Sequence, residues 1–289
     1  MPTRVTGPTH LMYSRRAVLL VLAATVSVQV GGAFAVILIT RVGPAGAVLL
    51  RTTLAALLVV AWCRPRLRNR RRTDWVVAAG FGLILAMMNL CFYEAAARLP
   101  LGAAVTLEFL GPLGVAVATS RRLRDLLWVV LAGTGVVLLS EGALNGLNPS
   151  GVAFALGAAT CWAAYILVGV QAGRRFPGME GLAVALVVAS LAVAPVAVVT
   201  SDLERFTPTA LLLGLGVAMM SSAIPYSLEI AALRRLPART FGVLMSIEPA
   251  IATLAAFVIL GQRLTPWQLL AVAMVVVASA GATRSTAPT

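Results

Sequence analysis

The chain has 289 residues, is 60% hydrophobic and only 11% charged, and carries a formal net charge of +13. A soluble domain holds roughly 25% charged residues, so this composition excludes an ordinary globular protein and reads as a polytopic membrane protein with almost no soluble part. The basic residues are all arginine and lie between apolar runs rather than in one patch, which argues against a nucleic-acid partner.

Ten apolar runs of spanning length follow one another, at about 17–40, 44–62, 75–97, 101–119, 125–141, 150–172, 181–200, 208–232, 238–260 and 266–283. The first is too long for a cleaved leader, and no polar mature domain follows it. It carries Gln29 on one face with Thr25 and Gly32. The second holds Arg51 about two turns from its start, and a cation at that depth needs a partner, either a glutamate or a substrate carboxylate. In the third run Asn89 shares a face with Tyr93, and Glu94 precedes Arg98 by four residues, the spacing of a helical ion pair.

The fourth run opens after Leu99-Pro100 and contains Glu108 and Pro112. A charge at mid-bilayer costs ~2.5–3.5 kcal/mol on insertion scales, so an intramembrane acid marks a functional site by default. In the fifth run Gly133 and Gly135 form no GxxxG pair, so a homodimer has no support in the sequence. The sixth puts Trp162 and Tyr165 on one face. In the eighth, Ser222, Tyr226 and Glu229 share a face at i, i+4, i+7. The ninth carries Glu248 directly before Pro249. Proline inside a helix removes a hydrogen bond, so Pro112 is expected to release the carbonyl of Glu108 and Pro249 that of Met245.

Arginine placement sets the expected orientation. With the N-terminus inside, eighteen arginines fall on the cytoplasmic side, the densest run being Arg64 to Arg72. Four, Arg41, Arg98, Arg205 and Arg263, fall outside, and both termini are then cytoplasmic. One histidine, His10, and three dispersed cysteines assemble neither a metal cluster nor a nucleophile–base pair, so no cofactor, metal or enzymatic activity is expected.

The halves repeat. Leu99-Pro100 matches Leu236-Pro237 and Pro112 matches Pro249, both at an offset of 137, and Arg122-Leu123 matches Arg263-Leu264 after a shift of four. Five spans per half invert the second copy, which predicts two inverted five-helix repeats, residues 1–145 and 146–289. The expected fold is therefore an all-α membrane protein of ten transmembrane helices. Glu108 lies seven residues into its span and Glu248 ten into its own, entering from opposite sides. At 1.5 Å per residue both acids fall near the midplane, where inverted-repeat transporters bind substrate and coupling ion.

Pro100 to Leu113 (PLGAAVTLEFLGPL) resembles the fourth span of the threonine/homoserine exporters, in the EamA branch of the drug/metabolite transporter superfamily. Pro225-Tyr-Ser-Leu-Glu229, Leu236-Pro-Ala-Arg-Thr-Phe-Gly242, Leu244-Met-Ser-Ile-Glu-Pro-Ala250 and Leu264-Thr-Pro-Trp-Gln-Leu-Leu-Ala271 resemble the same family. Gln262 stands where many superfamily members have a glutamate. The resemblance implies proton-driven export of small neutral amino acids from the cytoplasm across a bacterial inner membrane, with Glu108, Glu229 and Glu248 in family motifs. Substrate, protons and lipid are then the expected partners. The competing readings are export of another metabolite or drug, and a non-transporting scaffold or sensor.

Overall fold

In the computed structural model the described residues are 9–65, 70–118, 126–141, 148–233, 235, 241 and 244–285, and among them the regular structure is helical throughout. Helix α1 runs Thr9–Cys63, α2 Arg72–Ala96, α3 Leu101–Glu108, α4 Leu110–Ala118, α5 Leu126–Glu141, α6 Pro149–Arg175 and α7 Glu180–Thr200. Helix α8 (Pro208–Ala218) passes through a π turn, Met219–Ala223, into α9 (Ile224–Leu233). Helices α10 (Glu248–Leu260) and α11 (Pro266–Ser285) follow.

As a straight rod the 55 residues of α1 would extend about 82 Å, far beyond a hydrocarbon core of about 30 Å. It bends instead at Gly43, whose φ of 76° and ψ of 167° suit glycine, and Pro44 next to it supplies no N–H to continue the ladder. The chain folds back on itself there. Ser27 on the first leg and Arg51 on the second both reach the carbonyls of Met220 and Ser221. These legs coincide with the first two expected spans.

Glycine and alanine let the helices approach closely, as lipid-embedded packing requires. A Cβ on Gly82 would stand 2.7 Å from the Ala185 carbonyl oxygen, joining α2 to α7. A Cβ on Gly102 would stand 3.0 Å from Thr253 Cα, joining α3 to α10. One on Gly111 would overlap the Ala159 carbonyl, joining α4 to α6. Buried threonines satisfy their hydroxyls on their own helices, Thr25 on Val21 O at 3.0 Å, Thr52 on Val48 O at 2.8 Å and Thr106 on Gly102 O at 2.6 Å.

The arginine-rich end is tied across the two halves of the chain. Arg70 meets Glu180 at 2.5 Å, donates to the Arg175 carbonyl at 2.9 Å and lies over the Phe176 ring, while Arg175 meets Asp74 at 3.0 Å. Part of the run read as a topology signal therefore also joins the start of α2 to the α6–α7 turn. Glu94 pairs with Arg98 as its spacing predicts.

The opposite end has a tie of its own. Gly261 closes α10 in the left-handed region at φ 66°, and the next residue, Gln262, accepts the Leu101 N–H at 2.9 Å through Oε1. Position 262 thus caps α3 from the other half of the chain. Gln262→Ala is expected to lower stability by about 0.5–2 kcal/mol, the usual loss of an N-cap acceptor, whereas Gln262→Glu keeps the acceptor and adds a favourable charge at a helix N-terminus. Thermal unfolding of the purified variants in detergent checks this order.

Candidate functional site

Buried polar groups gather where three helical ladders are interrupted. Helix α3 ends at Glu108, the chain turns at Phe109, and α4 resumes at Leu110. The break comes before Pro112, whose missing N–H leaves the Glu108 carbonyl without its i+4 donor. On the other side Ser246 and Ile247 form a turn and α10 begins at Glu248. Pro249 therefore lies in the first turn of a new helix, where a missing N–H costs nothing. This differs from the expected release of the Met245 carbonyl inside a continuous helix, because the chain stops being helical before the proline is reached.

The third interruption is the π turn at Met219–Ala223. Pro225 causes it to be polar: without an N–H it cannot serve the Ser221 carbonyl four residues back or the Met220 carbonyl five back. The Ile224 N–H goes to Met219 O instead. Side chains from α1 take the two exposed carbonyls. Ser27 Oγ donates to Met220 O at 2.8 Å and Arg51 Nη2 to Ser221 O at 3.4 Å.

Arg51 is the centre of one pole. Its Nη1 donates to Asn89 Oδ1 at 2.6 Å, and its guanidinium carbon lies 5.8 Å from the centre of the Tyr93 ring. The Asn89 amide donates to Leu85 O at 2.8 Å, which turns its oxygen toward the arginine. Tyr93 is 1% exposed, its side chain buried against the Arg51 guanidinium.

Glu248 is the centre of the other pole. It is buried, and Gln29 Nε2 donates to its Oε1 at 2.9 Å, while Oε2 is buried with no hydrogen-bond partner among the described residues. Thr25, on the Gln29 face, reaches the Met245 sulfur at 3.7 Å, so this face of α1 lies against the segment that leads into α10. Glu108 is also buried, near enough to Glu248 and Arg51 for both charges to act on it.

Not every predicted residue joins this cluster. Trp162 meets it through Phe109, edge to face at 5.4 Å between centroids. Tyr165, expected on the same face, turns to α2 and stacks on Phe81 at 4.7 Å. Glu229 is half-buried on α9 and its charge acts on Glu248. The Tyr226 side chain lies outside the described residues. Ser27 and Ser221 were missed, although Pro225 in an apolar run is a signal for exposed carbonyls there.

Chemically the cluster offers a fixed cation with a phenol ring at one pole, a carboxyl group with an amide at the other, and a second carboxyl group, Glu108, near both. A buried polar atom without a partner costs about 1–3 kcal/mol, so Glu248 Oε2 is a position where an added polar ligand is stabilising. Opposed polar groups buried inside an apolar helical bundle point to a membrane transporter.

The comparisons with known proteins agree with that class. The model of the EamA-like transporter family matches residues 149–284. The threonine/homoserine exporter RhtA of Escherichia coli strain K12 is 41% identical over 268 residues, covering 92% of this chain and 90% of its own. The same figures hold for RhtA of Salmonella typhimurium strain LT2. A crystal structure of an 18% identical protein superposes with a TM-score of 0.64 over 94% of this chain and 95% of that one, a likeness of fold. The chain belongs to the EamA-like transporter family and is a multi-pass transporter of the inner membrane, not an enzyme.

Proposed function

We propose that this protein exports small neutral amino acids, threonine and homoserine first, in exchange for protons. The observation that carries the reading is the pair of opposed buried poles: the Arg51 guanidinium against Tyr93, and the Glu248 carboxyl beside Gln29 with its Oε2 lacking a hydrogen-bond partner among the described residues. A zwitterion matches both. Its carboxylate goes to Arg51 and the Tyr93 hydroxyl, and its ammonium to Glu248 and Glu108. Ten spans in two inverted repeats, residues 1–145 and 146–289, with both termini cytoplasmic, supply the alternating access. A proton arriving from outside neutralises an acid, discharges the ammonium and leaves on the inner side. Identity to exporters named for threonine and homoserine supports the substrate class.

The guanidinium of Arg51, held in the cluster, disfavours a cationic drug as cargo, because a like charge would be desolvated beside it. A scaffold or sensor has no use for two desolvated acids at the same junction. The reading is tested in a host lacking its own exporters and fed threonine- or homoserine-containing peptides. Expression is expected to lower the intracellular pool of the released amino acid and restore growth. An unchanged pool for both amino acids overturns the substrate assignment.

A further inference from the structure

We propose that the π turn at Met219–Ala223, pinned by Ser27, positions Arg51 for the substrate carboxylate. This rests on the reading of Arg51 above and assigns a role to Ser27 and Pro225, which belong to neither pole.

The chain of cause starts at Pro225. It withdraws the N–H that would serve Ser221 O in an α-helix, and in the π turn the Ile224 N–H bonds Met219 O, bypassing Met220 O. Two adjacent carbonyls are thereby available to side chains inside an apolar region. Ser27 is 8% exposed and takes the Met220 carbonyl at 2.8 Å, which joins the first leg of α1 to the turn. The Ser221 carbonyl then stands against Arg51 Nη2 while Asn89 holds Nη1. The guanidinium is gripped at two corners, from α2 and from the π turn.

The close packing supports a fixed turn. A Cβ on Gly31 would stand 3.0 Å from Met220 Cβ and 3.1 Å from the Ser221 backbone nitrogen, so the first leg of α1 lies directly on the segment. Ser221 and Ser222 are both buried. An arginine held by only one neutral acceptor would keep several rotamers. Each further acceptor narrows its direction before substrate arrives, which lowers the ordering cost of binding.

Ser27 and Pro225 are therefore positioning residues, and their loss is read in affinity rather than turnover. Ser27→Ala removes the Met220 tie and keeps the volume and helix propensity. Ser27→Thr keeps the hydroxyl. Pro225→Ala returns an N–H that competes with Arg51 for the Ser221 carbonyl. The experiment measures threonine transport by purified variants in liposomes, with Arg51→Gln in parallel and folding checked by size-exclusion profile and thermal unfolding.

The expected result is a KM raised about 5–20-fold by Ser27→Ala and by Pro225→Ala with kcat within about twofold, which is the lost pre-organisation. Ser27→Thr is expected to restore KM, and the double variant with Arg51→Gln to be no worse than Arg51→Gln alone. A wild-type KM for both Ser27→Ala and Pro225→Ala, with Arg51→Gln impaired, overturns the positioning role and leaves the site reading intact. A fall in kcat or folded yield without a change in KM also overturns it. Wild-type transport by Arg51→Gln overturns the site reading and this inference with it.

Discussion

Glu108→Gln and Glu248→Gln are each expected to lower gradient-driven export at least about tenfold, a barrier increase of about 1.4 kcal/mol, without loss of folded protein. The substitution is nearly isosteric, so packing at these buried sites is preserved. At position 248 the new amide oxygen still accepts from Gln29 Nε2, as Oε1 does at 2.9 Å. What disappears is the carboxyl that, in the proposed mechanism, binds an ammonium in one form and carries a proton in the other. A neutral amide does neither, so on the proposed mechanism imposing a pH gradient no longer accelerates flux. The two variants are separable. Glu248 has the orphaned oxygen and the amide partner, so Glu248→Gln is expected to raise KM more. Glu108 is buried where the charges of Glu248 and Arg51 both act on it, so Glu108→Gln is expected to fall more in gradient dependence. Transport measured in vesicles with and without an imposed gradient checks both.

Gly111→Ala is the second large effect, and it acts on the fold. The added methyl overlaps the Ala159 carbonyl oxygen and stands 3.0 Å from the Ala159 carbonyl carbon, so the obstacle is the backbone of α6 and no rotamer change relieves it. Overpacking of this kind costs about 1–3 kcal/mol, and here it also lifts Phe109 from Trp162 beside Glu108. The expected result is a fall of several degrees in the unfolding temperature together with lost transport. Gly114 is the control on the same helix. Nothing stands within 4 Å of a Cβ there, so Gly114→Ala is expected to be neutral or to stabilise by about 0.5–1 kcal/mol through helix propensity.

Much of this architecture is legible in the sequence because lipid imposes simple rules. Apolar runs of spanning length become helices, Gly43-Pro44 ends the first run, and carboxylates within such runs converge rather than face lipid. Glu108, Glu248, Gln29, Asn89, Tyr93 and Arg51 are all identifiable from polarity and helical face, and the fold brings them to one junction. Pairing is not legible, because it depends on crossings that no local pattern encodes. Arg51 meets Asn89 across 38 positions only after α1 folds back and α2 packs on it. Trp162 and Tyr165 share a face by spacing, yet that face is wide enough to touch two neighbours, so one residue goes to Phe109 and the other to Phe81. Gln262 gives no hint in isolation that its amide will cap a helix in the other half of the chain.

Prolines illustrate the same division. Each marks a missing main-chain donor, which is certain from sequence. Where the ladder breaks depends on neighbours: before Pro112 at Phe109, before Pro249 at Ser246–Ile247, and before Pro225 as a π turn whose carbonyls are claimed by α1. The residue type was visible in every case, and its consequence was set by whichever side chain lay close enough to take the vacant carbonyl.

We propose that the two buried poles bind an amino-acid zwitterion and couple it to protons, and the decisive test is labelled threonine and homoserine flux through the purified protein in liposomes, with and without a pH gradient. Saturable flux of at least one of them is expected, accelerated by a gradient that drives protons against the amino acid and reduced by a protonophore. Flux of both no faster than in protein-free liposomes, or flux indifferent to the gradient, would contradict it.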